Sequence, residues 1–82
     1  MPTMMLIVCV KRELDSLVEE FEDWRDDGMQ AKLYGITEKA QDGFILLEWS
    51  TPIPDHFTSK LKRDEDILDV LTFDSLFHPV SA

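Results

Sequence analysis

Two segments of this chain, Met4–Val10 (MMLIVCV) and Phe44–Ser50 (FILLEWS), are apolar at consecutive positions instead of alternate ones. Successive side chains of a strand point to opposite faces of its sheet. Each segment therefore reads as a strand apolar on both faces, and such strands sit inside a sheet. The chain has only 82 residues. A chain of this size folds as one small domain and buries only about 60–65% of the surface its unfolded form exposes. We expect a single domain over residues 1–82, with a core of about 3–74 and an irregular tail over 75–82.

Between these strands the period changes. Leu14, Leu17, Val18, Phe21 and Trp24 fall at helical spacing, opposite Glu13, Glu19, Glu20, Glu22, Asp23, Asp26 and Asp27. This predicts a helix starting near Arg12 or Glu13 and ending at Asp26-Asp27-Gly28, with Gly28 in a left-handed cap. Ser16 and Glu19 have capping-box spacing inside that stripe. Gln30–Glu38 alternates like a strand, and Asp42-Gly43 is a favoured turn dipeptide, so the next two strands form a hairpin. Thr51-Pro52-Ile53-Pro54 ends the sheet run. Ile53, Phe57 and Leu61 recur every four residues, predicting a second helix over about Pro54–Arg63. Ile67–Phe73 (ILDVLTF) suits a strand or a helix, and its β-branched and aromatic content and its length favour a last strand.

The order is β-α-β-β-α-β. In one small α+β domain this order predicts a ferredoxin-like sandwich: a four-stranded antiparallel sheet in the order 4-1-3-2, with two helices on one face. The two apolar runs become its central strands, and Lys32 and Asp69 fall on its edges. Order and length resemble those of ACT-type amino-acid-sensing domains. Those place a glycine-containing turn after the first strand, where this chain has Lys11-Arg12-Glu13-Leu14-Asp15, so the resemblance is one of topology.

Helices on one face leave the other face of two-sided apolar strands bare. Phe44 and Leu46 oppose Ile45, Leu47 and Trp49; Leu6, Val8 and Val10 oppose Met5, Ile7 and Cys9. One set must lie on the helix-free side. A contiguous apolar patch of that kind marks an interaction surface. The expected partner is a second copy, packed sheet to sheet as a homodimer. The alternative cover is the C-terminal tail, through Leu76 and Phe77.

The formal net charge is −9, from 17 acidic and 8 basic residues. Such a balance opposes binding to nucleic acid or to an anionic membrane surface. No apolar run approaches the roughly 20 residues of a spanning helix. Lys11 and Arg12 follow the first apolar run instead of preceding it, the reverse of a signal peptide. The single cysteine forms no internal disulfide, and a cytoplasmic protein is expected. The topology gathers Lys11, Arg12, Lys39, Lys60, Lys62 and Arg63 at one end, beside the start of the first helix. Lys11, Arg12, Lys60, Lys62 and Arg63 are thus the candidate residues for a small anionic ligand. Glu38, Asp42, Asp64, Glu65 and Asp66 share that end and oppose the idea.

Catalytic and metal-binding patterns are sparse. Cys9 lies mid-strand, as a core residue. His56 and His78 stand apart without ligand-spaced partners, and neither Asp23–Gly28 nor Asp64–Asp66 has the alternating pattern of a calcium loop. No catalytic residue, metal or cofactor is expected. Trp24 and Trp49 suit the core, with Trp49 also able to serve an interface. Three functional readings follow. The first is a binding or regulatory module that dimerises through its sheet and takes a small molecule or protein at its loops. The second is a small enzyme of the dimeric α+β barrel kind, whose cavity would draw polar groups from Cys9, Tyr34, Glu48 and Trp49. The third is an adaptor that offers its acidic first helix to a basic partner.

Overall fold

Strands apolar on both faces belong inside a sheet. In a computed structural model that describes residues 2–39 and 41–74, β1 (Thr3–Val10) and β3 (Asp42–Trp49) are the central strands. β2 (Met29–Ile36) and β4 (Ile67–Asp74) are the edges of a sheet ordered β2-β3-β1-β4, with every pairing antiparallel. Helices α1 (Leu14–Phe21) and α2 (Asp55–Arg63) both pack on one face. This is the ferredoxin-like α+β sandwich that the element order predicts. The expected tail, including Leu76, Phe77 and His78-Pro79, lies outside the described residues.

The helix-side core is built from alternate strand residues. Met5, Ile7 and Cys9 of β1 and Ile45, Leu47 and Trp49 of β3 are buried beneath Leu14, Leu17, Phe21, Phe57 and Leu61. At one end Phe57 meets Phe21, Trp24 and Trp49 edge to face, with ring centroids 5.3, 5.1 and 4.8 Å away.

The first helical segment is not uniform. A 3-10 turn over Lys11–Glu13 leads into α1, and a second 3-10 stretch, Glu22–Asp27, follows it. The tighter winding aligns residues three apart, which keeps Phe21 and Trp24 on the same aromatic cluster. Gly28 ends the segment at φ 99°, the left-handed cap that its sequence context predicts. Thr51 Oγ1 donates to the Asp27 carbonyl at 2.8 Å, tying this end to the end of β3. Ser16 lies inside α1, and among the described residues no side chain caps its N-terminus, so the capping-box spacing is not used.

Asp42-Gly43 departs from its expected place in the hairpin turn. Both residues belong to β3, opposite Val10 and Cys9 of β1, and the connection runs over 37–41. The reason is packing. A Cβ on Gly43 would come within 3.2 Å of Cys9 Sγ and of Leu14, so glycine here admits the start of α1 against the sheet.

Candidate interaction surface

Directly paired residues of an antiparallel sheet lie on the same face, so the register maps the helix-free side row by row. The middle row is Leu33–Leu46–Leu6–Leu71, one leucine from each strand. Toward one end lies Gln30–Glu48–Met4–Phe73, and toward the other Gly35–Phe44–Val8–Asp69. The Phe44 ring lies against Gly35, 3.3 Å from where a Cβ there would stand. Eight apolar side chains thus form one field, with Leu33, Leu71 and Phe73 57%, 51% and 44% exposed. Two charges stand in these rows. Glu48 is on the central strand β3, with Lys32 Nζ 3.8 Å from its Oε1, and Asp69 is on the edge strand β4.

Four strands spaced about 4.8 Å apart and three rows about 7 Å apart give a footprint of roughly 400 Å² per copy. This is the size of the largest patch on an ordinary monomer, where such patches are frequently functional.

The apolar sets sort as the sequence requires, with Leu6, Val8, Phe44 and Leu46 on the helix-free side. The residues proposed to line an interface or cavity do not join them. Cys9 and Trp49 are wholly buried on the helix side. Trp49 belongs to the aromatic cluster, and its Nε1 has no hydrogen-bond partner among the described residues. Tyr34 pairs with Ile45 and so points to the helix side too, out at the β2 edge. Of the four strand-borne polar candidates only Glu48 reaches the helix-free face. Burial, first, and then the carboxylates of Asp42, Asp64, Asp66 and Glu13 push the Cys9 thiol above its ordinary value of 9.0. That is the opposite of what activates a thiolate nucleophile.

The proposed anion-binding residues separate into two pairs and one outlier. Lys11 and Arg12 border a depression with Val10 and Gln41. Lys62 and Arg63 border another with His56 and Ser59. Lys60 turns to the seam between the helices and pairs with Glu20 of α1. Asp42, Asp64, Asp66 and Glu13 lie close enough to the end of β1 to act on Cys9, beside Lys11 and Arg12.

Two further depressions lie elsewhere. A polar one of about 420 Å³ includes Arg25, Gln30, Glu48 and Ser50, with Arg25 held by Glu22 at 2.9 Å. A more apolar one of about 410 Å³ runs between α2 and β4, past Ile53, Leu61, Ile67 and Leu68. Among the described residues, no group of three or more His, Cys, Asp or Glu side chains could hold a metal ion, and no helix is long and apolar enough to cross a membrane.

Leu33 and Leu71 are the members of the middle row that sequence reasoning missed. Strict alternation puts Leu33 on the face of Met29 and Ala31. A bulge at Lys32 shifts the register, so Ala31 faces Leu47 while Leu33 faces Leu46. A comparable irregularity in β4, between the partners of Val8 and Cys9, sets the phase of Leu71. The only usable signal was leucine itself, on two strands whose neighbours are apolar on both faces. No protein-family model matches the chain, and a comparison with curated proteins finds none similar to it.

Proposed function

We propose that this chain is a binding module that associates with a second copy of itself through the helix-free face of its sheet. One observation carries the reading: an unbroken row of four leucines, flanked by Met4, Phe73, Phe44 and Val8, spans all four strands on the side that no described element covers. Two such fields pack as the inner layers of a sandwich, where side chains of facing sheets interdigitate. A two-fold arrangement uses the same patch on both partners, so a single apolar field suffices. Two charges share the three rows: Glu48, with Lys32 Nζ 3.8 Å from its carboxylate, and Asp69 on the β4 edge.

The footprint sets the strength. About 400 Å² per copy falls below the roughly 800 Å² per partner of a standard stable interface. The association is therefore concentration-dependent, with a dissociation constant in about the micromolar range or weaker. Binding, not chemistry, is also what the placement of Cys9, Tyr34 and Trp49 favours, because a cavity between two facing sheets would not contain them.

The test is sedimentation equilibrium of the wild type and of Leu33→Lys/Leu71→Lys. Both leucines are more than half exposed, so the double variant keeps its monomer fold. The wild type shifts from monomer to dimer as concentration rises, and the variant stays monomeric with an unchanged circular dichroism spectrum. A wild type that is monomeric up to about millimolar concentration, or a dimer indifferent to the two lysines, contradicts the proposal.

A further inference from the structure

Among the described residues, β4 is an edge strand with one side unpartnered. The register shows which of its backbone groups face that side. Val10 of β1 donates its N–H to the Asp66 carbonyl at 2.9 Å, so the even-numbered residues of β1 address β4 and the odd-numbered ones address β3. Val70 is opposite Ile7, and Thr72 is opposite Met5. The N–H and C=O of Val70 and Thr72 therefore point away from the sheet, toward the free edge.

Such an edge is a template for another strand. The segment Ile67–Phe73, ILDVLTF, is strongly strand-forming and carries a single charge, Asp69. Its outward groups have the spacing that self-pairing needs. With two copies antiparallel about an axis at Leu71, Val70 of each faces Thr72 of the other, and all four outward groups exchange hydrogen bonds. The leucine row of one sheet would then continue into the next through the adjoining Leu71 side chains.

The N–H of Val70 is already occupied. It donates to Oδ1 of Asp69, the residue before it, at 2.8 Å. Beside it the ladder is irregular: Val8 faces Asp69 and Cys9 faces Ile67, leaving Leu68 unpaired.

We propose that Asp69 is an autoinhibitory contact that keeps the β4 edge from pairing with the β4 edge of a second copy. Its carboxylate takes the first outward donor of the edge. It also presents acceptor oxygens where the incoming Thr72 carbonyl requires a donor, so pairing would oppose oxygen to oxygen. This surface is distinct from the leucine-bearing face.

Sedimentation equilibrium and amide hydrogen exchange test the role, on the wild type, Asp69→Ala, Asp69→Val and Asp69→Ala/Thr72→Pro at equal concentration. Removing the carboxylate raises the weight-average mass above the wild-type value, by up to twofold for a closed pair of edges, and slows exchange at Val70 and Thr72. Proline at position 72 removes one outward N–H and no bond to β1, so it returns the mass to the wild-type value. That reversal separates edge pairing from packing through the sheet face, which proline would leave intact. Asp69→Val, with a better strand former, carries the comparison if Asp69→Ala loses its native circular dichroism. Folded Asp69→Ala or Asp69→Val at the wild-type mass overturns the proposal, as does a mass increase that Thr72→Pro fails to reverse.

Discussion

Phe57→Ala should remove much of this protein's stability. Phe57 is fully buried and, among the described residues, is the one ring that touches all three of Phe21, Trp24 and Trp49. Phenylalanine truncation in a core costs about 3–5 kcal/mol, combining lost transfer energy with the cavity left behind. Each edge-to-face pair adds about 0.5–1.5 kcal/mol beyond area burial, which argues for the upper half of that range. A domain of 82 residues, at about 0.05–0.15 kcal/mol per residue, has a total of about 4–12 kcal/mol. The variant then keeps at most about 8 kcal/mol, and at the low end of that total it is unfolded at 25 °C. The assay is urea denaturation followed by tryptophan fluorescence, since Trp24 and Trp49 report on this cluster. Tyr34→Ala is the control. That ring is half exposed at the sheet edge, and its loss should stay within about 0.5 kcal/mol. A Phe57→Ala cost below about 1 kcal/mol, or one equal to that of Tyr34→Ala, would refute the claim that this cluster holds the helices to the sheet.

Gly28→Ala should cost about 1–3 kcal/mol, from a positive φ that alanine resists and a Cβ placed 2.4 Å from Thr51 Oγ1. Gly28→Ala/Thr51→Ala should then cost less than the two single changes combined, because removing the hydroxyl relieves the clash; strict additivity in a double-mutant cycle would exclude that contact. Cys9 predicts a pH dependence. Its thiol titrates above 9.0 when folded, so above that pH the folded state keeps a proton that the unfolded state has lost, and stability falls as pH rises. The stability advantage of the wild type over Cys9→Ala should therefore be constant below about pH 8 and shrink toward pH 10.5, and a constant gap in denaturant titrations over that range would refute the assignment. The Lys60–Glu20 pair is exposed enough that Lys60→Gln should cost no more than about 1 kcal/mol, with the loss shrinking further in high salt.

Element order and topology were readable because the periods are clear. Met4–Val10 and Phe44–Ser50 could only be central strands, and the stripe from Leu14 to Trp24 could only be a helix packed on them. What escaped depends on contacts between distant parts of the chain. Asp42-Gly43 has turn chemistry, yet Gly43 serves a close approach between Leu14 and Cys9 that no local rule encodes. Lys32 begins a bulge, and with it Leu33 changes face; alternation alone assigns it to the wrong side. The basic residues were placed by topology at one end, but side-chain pairing draws Lys60 to Glu20. The candidate surface was therefore legible as a bare apolar face. Its leucine row was not, because register is fixed by pairing and not by composition.

The most direct test is whether the leucine row becomes covered as the protein concentrates. The δ-methyl groups of Leu6, Leu33, Leu46 and Leu71 can be followed by NMR with a soluble paramagnetic agent, across a range of about 10 µM to 1 mM. The account predicts strong broadening of these signals in dilute protein and its loss at high concentration, while the already buried Leu47 and Leu61 stay unaffected throughout. Broadening of the four leucines that is equal at both ends of the range would contradict it.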